Sequence, residues 1–132
     1  MVIVVIAAFM AVVQSATPPA VPVNIAEVKT GGQWFSAGQH GYFRVIVERH
    51  GFEHISSKVF LEWITEPSGP NEGAKVVREA EINEAGVSGC SLGIVKLDGN
   101  KLVLDGGSSY SAVSSCRLEF SLGKPGSYRA VR

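Results

Sequence analysis

Apolar and polar residues alternate along much of this chain, and a period of two belongs to β-strands. The clearest stretch is Tyr42–Arg49. There Phe43, Val45 and Val47 share one side, while Tyr42, Arg44 and Glu48 share the other and Ile46 breaks the polar side. Val23–Lys29 alternates in the same way and reads as a first, edge-like strand, opened by Pro22 and ended by Gly31-Gly32. His50-Gly51 then reads as a two-residue turn, with His54 three residues into the returning strand. Over Ile55–Glu66 two periods compete. Val59, Leu61 and Trp63 alternate as a strand, whereas Phe52, Ile55, Val59 and Trp63 fit a helical stripe; the β-branched and aromatic residues favour the strand.

Pro67–Gly73 (PSGPNEG) is a loop by its breakers, and Lys75–Ile82 a charged strand at an edge. Cys90–Leu97 and Lys101–Leu104 flank Asp98-Gly99-Asn100, a hairpin signal. Asp105–Ser111 reads as a Gly/Ser loop. Cys116, Leu118 and Phe120 alternate with Arg117 and Glu119, and Ser127–Arg132 forms a last strand after Pro125-Gly126. About seven or eight short strands punctuated by turns predict an all-β chain, an immunoglobulin-like antiparallel β-sandwich in a single domain. The antibody signature is absent, because Trp34 and Trp63 both precede Cys90.

Composition supports a globular domain: 132 residues, 45% hydrophobic and 18% charged. Twelve basic residues against twelve acidic ones give no net charge, which argues against nucleic acid as a partner. Residues 1–16 (MVIVVIAAFMAVVQSA) carry no charge, and their apolar run is too short for a bilayer core of about 30 Å. They read as a secretory signal, with the mature domain over residues 17–132 and no transmembrane span in it. Secreted or periplasmic export would put the chain in an oxidising compartment. Cys90 and Cys116, the only two cysteines, should then be bridged.

Candidate chemistry is sparse. His50-Gly-Phe-Glu53-His54 spells H-x-x-E-H, an order used by zinc peptidases, but that motif needs a helix to bring both histidines onto one face. Following a clear strand, it reads as a turn histidine and a strand histidine. A small hydrolase or metal-dependent enzyme using these three residues is the alternative function. No G-x-S-x-G and no phosphate-binding glycine motif is present, and no cofactor or metal is predicted.

Charge, although balanced overall, is split. Residues 1–90 hold nine acids and six bases (net −3), and residues 91–132 hold three acids and six bases (net +3). Lys124, Arg129 and Arg132 make the C-terminal strand and its turn basic, either to guard an edge or to dock on an anionic surface. Trp34-Phe35, in what reads as a loop between Gly31-Gly32 and Gly38, is either a plug over the sandwich end or an exposed contact pair. The expected function is non-catalytic. The chain would bind another protein or a cell-surface component, as an assembly factor, an inhibitor or immunity protein, or an adhesion module, with Trp34, Phe35, Lys124, Arg129 and Arg132 as contact residues.

Overall fold

The computed structural model describes residues 2–3, 17–84, 86–108 and 115–131. The expected signal segment and Arg132 lie outside the described residues, apart from Val2 and Ile3. The strands are β1 (Ile25–Ser36), β2 (Gln39–His50), β3 (Ser56–Thr65), β4 (Lys75–Glu81), β5 (Cys90–Asp98), β6 (Lys101–Ser108), β7 (Ser115–Leu122) and β8 (Tyr128–Val131). They form two four-stranded antiparallel sheets with no helix among the described residues. Sheet A runs β1-β2-β3-β4 and sheet B runs β5-β6-β7-β8, so each sheet is a meander in chain order.

The alternation read from the sequence decides what each sheet buries. Phe43, Val45 and Val47 of β2 and Val59, Leu61 and Trp63 of β3 point inward against Leu92, Leu102, Leu104, Phe120 and Leu122 of sheet B. Residues 82–89 carry the chain from β4 to β5, and their Ile82 and Val87 belong to the same core. On one side of the sandwich β1 lies beside β5. Glu27 accepts the Ile94 N–H (2.9 Å), Arg49 donates to the Leu92 carbonyl (2.7 Å) and the Gln33 N–H reaches the Gly99 carbonyl (2.8 Å). On the other side β4 meets β8, where the Tyr128 hydroxyl donates to the Glu81 carbonyl (3.2 Å).

Cys90 and Cys116 are bridged, as expected, with Cα atoms 6.3 Å apart. Cys90 starts β5, Cys116 belongs to β7, and the bond passes over β6 between them. Gly106 of β6, opposite Cys116, leaves that inward position without a side chain, and a Cβ there would overlap the Ser91 carbonyl oxygen. Beside the bridge, buried Ser57 ties the two sheets: its Oγ donates to the Cys90 carbonyl (2.6 Å) and accepts from the Leu92 N–H (2.9 Å).

Several boundaries differ from expectation, each for a local reason. β1 does not stop at Gly31-Gly32 but continues to Ser36, with a register shift between Gly31 and Trp34. Gly32 takes φ of +69° against the Phe43 ring, so the pair is a bulge within the strand and no terminator. Similarly, Asp105–Ser111 is no loop at its start, because β6 runs to Ser108 and pairs Gly106 and Gly107 with β7. His50 ends β2, and residues 51–55 form a five-residue connection in place of the two-residue turn.

The β1–β2 hairpin closes on Ala37-Gly38, with φ of +50° and +79°. Positive φ at both central positions is the type I′ requirement, and alanine meets it at a cost of about 1–2 kcal/mol. Ala37→Asn should therefore raise stability by about 1 kcal/mol and the melting temperature by roughly 4 °C, read by thermal unfolding. An unchanged or lower melting temperature would show that the turn carries no such strain.

Candidate functional site

Outward-facing side chains distinguish the two sheets. On sheet B four of them form a chain of ion pairs, Lys101 with Glu119 (3.5 Å) and Arg117 with both Asp105 (3.8 Å) and Glu119 (3.4 Å), with Lys96 and Arg129 outside it. Val103 lies beneath them. This is an ordinary solvated sheet face.

On sheet A the strand register lays out rows of a different kind. Val28, Ile46 and Phe60 stand side by side across β1, β2 and β3, and Tyr42, Ile64 and Val76 across β2, β3 and β4. Between these apolar rows lies Thr30, Arg44, Glu62 and Glu79. Val28 is 51% exposed and Val76 46%, while Ile46, Tyr42 and Phe60 are half-buried. Ile64, between Tyr42 and Val76 in its row, is buried.

At the centre, Arg44 grips Glu62 with two nitrogens, Nε to Oε1 at 2.6 Å and Nη2 to Oε2 at 3.2 Å. The fork geometry suits a guanidinium and a carboxylate and fixes both planes. The hydrogen bond to Glu62 raises the Arg44 pKa above its ordinary value, partly opposed by burial. Glu62 is only 7% exposed, so removing its cation strands a desolvated carboxylate opposite Glu79. Arg44→Met is expected to cost about 2 kcal/mol, below the 3–5 of a fully buried pair because the guanidinium is partly solvated. The double variant Arg44→Met/Glu62→Leu should recover most of that in urea unfolding. If the double variant is no more stable than the single one, the charge on Glu62 is not the cause.

Of the residues expected to make contacts, Trp34 is corrected. It belongs to β1, is 3% exposed and donates its indole N–H to the carbonyls of Tyr42 (3.1 Å) and Ile64 (3.2 Å). The bulge at Gly31-Gly32 turns it inward opposite the bare backbone of Gly41, so it is the plug and offers no contact surface. Its neighbour Phe35 points the other way, 72% exposed and stacked on the His40 ring (6.1 Å, 25°). His40 in turn lies 3.4 Å from Glu66.

Lys124 and Arg129 are exposed, Lys124 in the β7–β8 turn and Arg129 on β8. Arg129 stands on the outer side of sheet B, so it and Phe35 occupy opposite faces of the sandwich and do not form one patch. His50, Glu53 and His54 are not gathered on a helix. His50 ends β2 with Nε2 3.1 Å from Glu48, and Glu53 and His54 lie in the following connection. Among the described residues no three His, Cys, Asp or Glu side chains converge as metal ligands.

Sequence reading missed the sheet A face because each strand shows its outward residues singly. Only the register reveals that Tyr42, Ile46, Phe60 and Ile64 adjoin; the break at Ile46 in the polar side of β2 was the available signal. No protein-family model, curated protein or solved structure matches this chain.

Proposed function

We propose that this chain is an exported β-sandwich of immunoglobulin-like architecture that binds another protein, without catalysis, through the outer face of sheet A. The likeness to the immunoglobulin fold is one of layers, since each sheet here follows chain order where that fold has Greek-key connections. The observation that carries the reading is the contrast between the faces: sheet B laced at its centre by ion pairs, sheet A presenting Tyr42, Ile46, Phe60 and Val76 around a fixed Arg44–Glu62 pair. Tyrosine, arginine, phenylalanine and isoleucine with few free charges at the centre is the composition of a docking core. The disulfide supports export, because oxidising compartments maintain such bonds and the cytosol does not.

The test immobilises the oxidised chain and measures what it retains from an extract of its own source. Tyr42→Ala/Phe60→Ala should weaken retention by at least about tenfold, the loss of two interface aromatics, and Lys101→Ala/Arg117→Ala should leave it unchanged. The reverse pattern would move the site to sheet B and overturn the proposal.

A further inference from the structure

Charge on the outer face of sheet A does not balance. Glu48, Glu62, Glu79 and Glu81 face outward against Arg44 and Lys58. Two of these acids have a cationic partner: Glu62 holds Arg44, and Glu48 stands opposite Lys58. Glu79 and Glu81 do not. They are successive outward residues of β4, and neither makes an ion pair within the described residues.

The nearest bases make no ion pair with them: Lys58, which lines one hollow with Glu81, stands opposite Glu48. Lys75 and Arg78 stand on the inward row of β4, opposite Thr65 and Trp63, and the Arg78 side chain lies over Gly126 of the β7–β8 turn. Glu79 is directly opposite Glu62, an arrangement of like charges that is unfavourable by itself. Beside the two free carboxylates are Phe60, the cross-strand neighbour of Glu81, and Val76 at the end of the Tyr42–Ile64 row. β4 is the last strand of its sheet, so this margin of the face is open.

A second copy of the chain fits this margin poorly. Pairing β4 with its own copy about a two-fold axis keeps each face with itself. Glu79 and Glu81 would meet their copies on one side, and Lys75 and Arg78 theirs on the other. Taken together with the docking reading above, on which this rests, we propose that the β4 margin of sheet A receives a cationic polypeptide segment. Its Lys or Arg side chains are set against Glu79 and Glu81, and its apolar side chains against Phe60 and Val76. The acids give orientation and salt dependence, and the apolar row gives contact area.

The probes are three labelled extended octapeptides that alternate valine with lysine, with glutamine or with glutamate, titrated onto the oxidised chain by fluorescence anisotropy. The lysine peptide should bind best and weaken as salt rises. Glu79→Gln/Glu81→Gln should weaken it about tenfold while leaving the glutamine peptide unchanged. Tyr42→Ala/Phe60→Ala should abolish binding, and Lys101→Gln/Arg117→Gln should leave it intact. Circular dichroism verifies that each variant is folded. Equal binding of all three peptides, still lost in Tyr42→Ala/Phe60→Ala, would overturn the cationic partner and leave the face standing. Failure of the lysine peptide to bind at all would also overturn it. Sedimentation of the chain alone at low salt gives a further check: self-association lost in Glu79→Gln/Glu81→Gln would make the occupant a second copy, against the proposal.

Discussion

Trp34→Ala is expected to remove about 4 kcal/mol of stability, a large share of what a domain of this size possesses. Its indole fills the end of the sandwich at 3% exposure, and one N–H serves two carbonyls, on Tyr42 of β2 and Ile64 of β3. Truncation leaves a cavity the size of most of an indole, and neither backbone carbonyl can move far without breaking the β2–β3 ladder. Trp34→Phe should cost less, since it fills part of the space and loses only the donor. Denaturant midpoints with unchanged slope would read both values. A loss below about 1 kcal/mol for alanine would show that the side chain is dispensable as a plug.

The second large effect is expected from the disulfide. For a sequence separation of 26, the chain-entropy relation gives about 3.5 kcal/mol on removing the bridge. The double variant Cys90→Ala/Cys116→Ala is the clean comparison, because a single change leaves a free thiol beside the core. The effect should centre on sheet B, where the bond joins β5 to β7 across Gly106. Amide exchange in β5 should accelerate more than in β2. Equal stability with and without the bridge would mean that the three strands hold that geometry unaided.

The sandwich was legible because the two central strands of sheet A obey a period of two on the buried side: Phe43, Val45, Val47, then Val59, Leu61, Trp63. The disulfide was legible from the cysteine count and the expected export alone. What escaped were interruptions that sequence reads as ends. Gly31-Gly32 and Gly106-Gly107 look like breakers, yet both lie inside strands, where a Cβ on Gly32 would meet the Phe43 ring and one on Gly106 the Ser91 carbonyl oxygen. The first of these errors carried the second. Once β1 is ended early, Trp34 falls in a loop and becomes a contact residue, when the continuing strand in fact turns it inward. The apolar rows of sheet A were hidden for another reason: cross-strand neighbours such as Ile46 and Phe60 are 14 positions apart in the chain and meet only through register.

Hydroxyl-radical footprinting of the chain, free and bound to what it retains from an extract of its own source, tests the central claim that sheet A carries the binding face. Phe52, 95% exposed in the connection after β2, serves as an internal reference. The account predicts that oxidation of Tyr42 and Phe60 falls on binding while that of Phe52 does not change. Undiminished oxidation of Tyr42 and Phe60 in the bound state would contradict it.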